Sequence, residues 1–341
     1  MARFSPDPLS RKTATTTGAG PITIGLVNNM PDAALKFTEL QVRDLLRRAA
    51  GRREVSLRTF SLPGVPRSAE GRRYVAQHHE PIDQLWDGHF DGLIVTGTEP
   101  RAERIEDEPY WPALAQLIDW ADNHTISSVW SCLAAHAAVY RLDGIVRSPF
   151  DSKLFGVFDC TKIADHPLVA AGPGVWQVPH SRCNELPEQV LAANGYRILS
   201  RSDAAGADLF IKQKQSLYVF LQGHPEYDAT ALFGEYRRDV RRYLSGEMEH
   251  YPELPHGYFT DGATEALLAF REWARERRDI ALLEQFPAAA VGRELTAPWR
   301  DAATRLYSNW LGHLARNRAR RRGLAGPEVP PAGHAASLTY A

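Results

Sequence analysis

Short apolar runs alternate with amphipathic ones along the first half of the chain. The run Ile22–Val27 (ITIGLV) is apolar throughout, as expected of a strand covered on both faces. Asn28-Asn29-Met30-Pro31-Asp32 breaks it. Over residues 33–50, Leu35, Leu40, Val42, Leu45 and Leu46 recur at helical spacing, and Gly51 stops the pattern. Residues 54–60 read as a second strand, so the opening is β–loop–α–β. Residues 61–86 are polar and predict a long connection with one helical turn. After it come a strand over 90–97 (FDGLIVTG), a helix over 111–123, a strand over 125–130 and a helix over 133–142.

The second half is more mixed. Strands are predicted over 153–158, 175–180, 196–200, 209–212 and 216–222, and helices over 229–244, 263–277 and 297–316. This order predicts an α/β fold: a parallel or mixed sheet flanked by helices, with a C-terminal helical extension. Three regions are expected: a flexible leader over 1–20, one catalytic domain over 21–316, and a basic, low-complexity tail over 317–341.

Composition narrows the class. Across 341 residues, 40 Lys plus Arg balance 41 Asp plus Glu, which gives no global reason to bind nucleic acid or an anionic membrane. Three cysteines, Cys132, Cys160 and Cys183, are too few for a disulfide scaffold and fit a reducing cytoplasm. No apolar run reaches the roughly 18–20 residues of a membrane helix.

Two segments can carry chemistry. Cys132 stands between a predicted strand and a predicted helix, where the positive helix end favours a thiolate and the Leu133 N–H can donate to an oxyanion. The second segment is Gln222-Gly223-His224-Pro225-Glu226-Tyr227-Asp228. Read as the end of a strand, it turns His224 and Glu226 to one face, so that the carboxylate can orient the imidazole. Both segments follow strands of one sheet, and Cys…His-x-Glu is a coherent nucleophile, base and orienter. The loop 28–32 is expected to supply a second oxyanion donor. His136, one turn after Cys132, is read as packed beside the sheet, and Cys183 as structural. No metal-ligand spacing is evident, so neither a metal nor a bound cofactor is expected.

Further elements run in one order: Asn29-Met30-Pro31, Thr38-Glu39-x-Gln41, FDGLIVTG, Tyr110-Trp111-Pro112, Lys153, PHSR (179–182), GHPEYD (223–228), Arg238-Asp239-Val240 and Asn309-Trp310-Leu311. With Cys132, they resemble the homoserine O-succinyltransferase/O-acetyltransferase family of methionine biosynthesis over about residues 20–315. The resemblance implies a class I glutamine-amidotransferase-like fold. It implies Cys132 as acyl-thioester nucleophile, His224 as general base, Glu226 as orienting acid, and Lys153, Ser181 and Arg238 as substrate contacts. Succinyl-CoA or acetyl-CoA is then a cosubstrate, L-homoserine the acceptor and the cytoplasm the place. Partners other than these small molecules are not expected; oligomeric state is not legible, and a homodimer is left open.

The chain departs from that family in two places. Arg101 occupies the position that sets acyl size, where the resemblance implies Gly for succinyl and Glu for acetyl. A guanidinium there can pair with the succinyl carboxylate, which favours succinyl-CoA, or fill the pocket, or bind a CoA phosphate. Leu133 stands where the family usually has Trp, which leaves a serine-like acceptor open. Two other readings remain: a glutaminase on the same scaffold, and a non-catalytic binding protein using the basic run 316–322, otherwise read as a solvated helix end, on nucleic acid.

Overall fold

The computed structural model describes residues 20–321, with side chains to 319. Residues 1–19 of the expected leader and 322–341 of the expected tail lie outside the described residues. In chain order the elements are β1 (Ile22–Val27), α1 (Leu35–Ala50), β2 (Val55–Phe60), α2 (Ala69–His78), α3 (Asp83–Trp86), β3 (Gly92–Val95), α4 (Trp111–His124), β4 (Ser127–Ser131), α5 (Leu133–Asp143), β5 (Ser148–Lys162), β6 (Val175–Glu185), α6 (Glu188–Ala193), β7 (Arg197–Ser202), β8 (Gly206–Gln213), β9 (Leu217–Leu221), α7 (Ala231–Leu244), α8 (Asp261–Arg277), α9 (Ala288–Gly292) and α10 (Arg300–Arg321).

One sheet of nine strands runs β2-β1-β3-β4-β9-β8-β7-β5-β6. Its first five strands are mutually parallel, and the remaining pairings are antiparallel. The fully buried β3 and β9 explain the unbroken apolar runs in the sequence, while β4, equally buried, hides Ser127 and Ser128 by bonding their hydroxyls to the Leu217 carbonyl and the Trp130 indole N–H. Leu114, Leu117 and Ile118 of α4 and the alanines of α5 cover one face; Val42, Leu45 and Leu46 of α1 and Tyr307, Trp310, Leu311 and Leu314 of α10 cover the other. A third cluster, built by α7, α8 and α9 with Phe155 and Val157 of β5, forms the C-terminal extension.

The fold class is therefore as expected, and three local expectations are corrected. The connection 61–86 holds two helices, not one turn. α2 buries only Gly71, so it has no apolar stripe to betray it; its one clear signal is the Ser68 hydroxyl, which accepts the Gly71 N–H. β5 and β6 are far longer than the predicted strands, paired along a hairpin with an irregularity between Pro149 and Leu154. The last helix continues to Arg321, past its predicted end at 316, so the basic run lies on a helix end. Arginine is a good helix former and is favoured at a helix C-terminus, and the Arg318 guanidinium bonds the Gly20 and Pro21 carbonyls at 2.7 and 2.8 Å.

Candidate active site

Cys132 joins β4 to α5 with φ 52° and ψ −119°, a backbone conformation that side chains rarely adopt. Such strain costs about 1–3 kcal/mol and persists only where its surroundings enforce it. Here the Cys132 N–H bonds the Leu221 carbonyl at 2.8 Å, and its own carbonyl accepts from Ala135 at 2.9 Å. The sulfur is thereby lifted off the sheet, half-buried, at the N-terminus of α5. Leu133 begins that helix, so its N–H has no carbonyl a turn earlier to bond. A Cβ on Gly97 would stand 3.0 Å from the Leu133 nitrogen, so the loop after β3 closes against this amide.

Most of the backbone N–H groups of the loop 28–32, expected to offer a second oxyanion donor, are already bonded, which leaves the Asp32 N–H for that part. The N–H groups of Asn28, Asn29 and Met30 are spent on the Phe60 carbonyl, the Thr96 hydroxyl and the Asn28 side chain, and Pro31 has none.

β9 lies beside β4, and the turn after it carries His224 to Cys132. His224 Nδ1 lies 2.8 Å from Glu226 Oε1. The contact is real, but its cause is not an extended strand. The Tyr227 N–H bonds the His224 carbonyl at 3.1 Å, so the segment is a turn that folds the carboxylate back on the ring. Burial alone would depress the imidazole; the Glu226 charge and the Cys132 sulfur, as charge and hydrogen-bond partner, hold its pKa well above the ordinary value. A cationic imidazole between a carboxylate and a sulfur is equipped for nucleophilic catalysis.

Lys153, Ser181 and Arg238 converge on two acids of α7. Ser181 donates to Glu235 at 2.6 Å; Lys153 Nζ lies 3.1 Å from Asp239 and 3.5 Å from Glu235; Arg238 pairs with Asp239 at 2.9 Å. Sequence reasoning missed Glu235 and Asp239. Burial raises the Glu235 pKa, yet Lys153, Ser181, Tyr227 and Arg238 outweigh it and hold the carboxyl below its ordinary range. Glu235 is three residues before Arg238, one face of one helix, and that spacing was the available signal.

Arg101 is exposed, and among the described residues its guanidinium has no ion-pair partner. Its backbone is held firmly: the Arg101 and Ala102 N–H groups converge on Oε1 of buried Glu108 at 2.5 and 2.8 Å. Two residues earlier, Glu99 pairs with Arg242 of α7 at 3.3 Å, tying this loop to the Asp239 cluster. His136 is packed beside the sheet as expected; burial pushes it down to about 3, and Nε2 meets Gln222 at 3.0 Å. Cys183 is exposed.

Donor atoms of Cys160, His180 and Asp208 lie within 4.8 Å of one another, a trio that sequence spacing hid. Arg182 donates to His180 Nδ1 at 3.3 Å, which leaves the proton on Nε2, 3.5 Å from Asp208 but without a hydrogen-bond partner among the described residues. So protonated, His180 is a donor and not a metal ligand, and the guanidinium beside it opposes a cation.

The homoserine O-succinyltransferase family pattern matches residues 7–320. Homoserine O-succinyltransferases of Methylorubrum extorquens and Bradyrhizobium japonicum are 47% and 48% identical, over 90% and 86% of this chain and 88% and 90% of theirs. That of Rhodopseudomonas palustris is 44% identical over 92% of this chain and 95% of its own. Among solved structures, a glutamine amidotransferase of Thermotoga maritima is 14% identical with a TM-score of 0.47, covering 87% of this chain and 99% of that one. With Cys132, His224 and Glu226 assembled at adjacent strand ends and the family pattern running nearly end to end, the chain belongs to the homoserine O-succinyltransferase family.

Proposed function

We propose that this chain transfers a succinyl group from succinyl-CoA to the hydroxyl of L-homoserine through a thioester on Cys132. The observation that carries the reading is His224, hydrogen-bonded to Glu226 and held charged by it and by the Cys132 sulfur, with Cys132 on a strained turn beside the Leu133 N–H that opens α5. In the first half-reaction the Cys132 sulfur attacks the thioester carbonyl, the Leu133 N–H steadies the oxyanion, and CoA leaves with the proton from His224. In the second, His224 takes the proton of the homoserine hydroxyl, whose oxygen attacks the acyl-enzyme and expels the Cys132 thiolate. Glu226 keeps the imidazole in the required tautomer and stabilises its cation.

The acceptor is a zwitterion, and the cluster on α7 has a group for each end. Glu235 suits the ammonium, and Arg238, with 42% of its side chain exposed, suits the carboxylate. Lys153 and Ser181 hold Glu235 in place. The relatives' names support succinyl as donor, and the unpaired Arg101 offers a cation for its free carboxylate.

The test is intact mass after brief mixing with succinyl-CoA or acetyl-CoA, without acceptor. A succinyl adduct that is absent in Cys132→Ala and discharges on adding L-homoserine supports the proposal. An acetyl adduct alone overturns the donor. No adduct from either, with ammonia released from glutamine, moves the reading to a glutaminase.

A further inference from the structure

Asp208, on β8, is 3% exposed and has no part in the proposed reaction as described so far. It touches the turn that carries His224 twice. Its carbonyl accepts the Gln222 N–H at 2.9 Å, and Oδ1 accepts the Gly223 N–H at 3.3 Å. The His224 N–H is bound in turn by the Pro179 carbonyl of β6 at 2.8 Å. Three successive N–H groups of the turn are therefore pinned, two of them by one residue. The fit is close. A Cβ on Gly223 would fall 2.4 Å from Val178 Cγ1, 2.9 Å from Asp208 Oδ1 and 3.0 Å from His180 Cε1.

Groups from every neighbouring element face this carboxylate. Ser200 of β7 donates to Oδ2 at 3.1 Å. His180 Nε2 of β6 lies 3.5 Å from Oδ1, and Arg182 donates to the other ring nitrogen. Cys160 of β5 completes the trio, and Arg305 and Asn309 of α10 line the cavity that Asp208 also borders. Arg182 has no carboxylate within ion-pair reach among the described residues; its guanidinium is held by the carbonyls of Asn184 and Ala205, and Asp208 is one of the counter-charges it senses at longer range. His224 and Asp208 also sense each other's charge.

We infer that Asp208 is a positioning residue of the active centre: it fixes the Gly223–His224 turn from beneath and sets a second carboxylate, besides Glu226, in the field of the imidazole. The inference rests on the reading of Cys132 and His224 as the reacting pair. An anion opposes every nearby deprotonation, so removing it lowers the pH at which the pair gives up its protons.

The test separates geometry from charge, and its charge arm needs no substrate. Asp208→Asn keeps an acceptor for the Gly223 N–H and loses the charge; Asp208→Ala loses both. The readout is the pH dependence of iodoacetamide alkylation, followed on the Cys132 peptide because Cys183 is exposed. Asp208→Asn is expected to move that profile to lower pH and to remove an inflection near pH 6, where burial places Asp208. Asp208→Ala is expected to lower kcat by about tenfold or more with KM for L-homoserine changed by less than about threefold. Should Asp208→Ala fail to fold, Asp208→Asn alone decides. An Asp208→Asn profile superimposable on that of the parent overturns the inference, whether or not acyl transfer is the activity. That activity stands or falls separately on the Cys132 adduct.

Discussion

Tyr227 lies flat on the imidazole of His224, ring centroids 4.3 Å apart and 15° from parallel, while its hydroxyl donates to Glu235 at 2.6 Å. One side chain thus packs the candidate base and orients the candidate ammonium anchor. Its carbonyl accepts the Trp299 indole N–H at 2.8 Å, which ties the turn to the C-terminal extension. Tyr227→Phe keeps the stacked ring and deletes only the hydroxyl. A hydrogen bond to a charged group is worth about 1.5–3 kcal/mol, so KM for L-homoserine should rise about tenfold to a hundredfold. Acylation by succinyl-CoA should stay within about threefold, because the ring still packs the imidazole. Single-turnover measurement of the two half-reactions checks this; equal losses in both would mean that the hydroxyl serves the base itself.

Gly97 tests the oxyanion donor. An added methyl would stand 3.0 Å from the Leu133 nitrogen and Cβ, closer than such contacts ordinarily come, so the amide or the loop must shift. Loss of one oxyanion donor costs about 10²–10³ in rate. Gly97→Ala is expected to slow acylation of Cys132 toward that range, while iodoacetamide, which forms no oxyanion, should alkylate Cys132 at the parent rate. An equal fall in both rates would place the damage at the sulfur.

The core of this site was legible because its chemistry is local in sequence. Cys132 stands at an abrupt strand-to-helix boundary, and His224 and Glu226 are two residues apart. Their contact was expected for the wrong reason: the turn closed by Tyr227, not an extended strand, brings them together. Glu235, Asp239 and Asp208 were not legible. Glu235 and Asp239 sit among the charges of an amphipathic helix, where acids ordinarily face water, and only packing against β5 and β6 turns them inward. Asp208 interrupts an apolar strand, a signal whose meaning depends on Ser200, His180 and Gly223 arriving from three other places in the chain. α2 was missed because a helix that buries one glycine carries no apolar period.

Asp208 also makes a prediction about stability. Burial raises its pKa from an ordinary 3.8 to about 6, against the opposing pull of Ser200, Gly223, Arg182 and His224. Between those values the folded chain holds a proton that the unfolded chain has lost, so stability falls as pH rises through the window. Above pH 6 the folded chain carries a buried charge. Asp208→Asn has no such group, so its stability relative to the parent should improve by about 2–3 kcal/mol between pH 4 and pH 7. Urea unfolding at the two pH values measures the difference. A constant offset at both would mean that the carboxyl titrates alike in the folded and unfolded chains.

Arg101 is where a choice between donors by charge can be tested. Its backbone is fixed by Glu108, so a substitution of the exposed side chain leaves the loop in place. If the guanidinium pairs with the free carboxylate of the succinyl group, Arg101→Glu sets two like charges together. It should raise KM for succinyl-CoA by about tenfold to a hundredfold, equivalent to about 1.5–3 kcal/mol. Acetyl-CoA has no such carboxylate and should change by less than about threefold, so the ratio of kcat/KM for the two donors is the quantity to measure. Equal losses would assign the guanidinium to the CoA portion common to both. Arg101→Gly adds the steric arm: a gain with both donors would mean that the side chain fills the acyl pocket and that its charge is secondary.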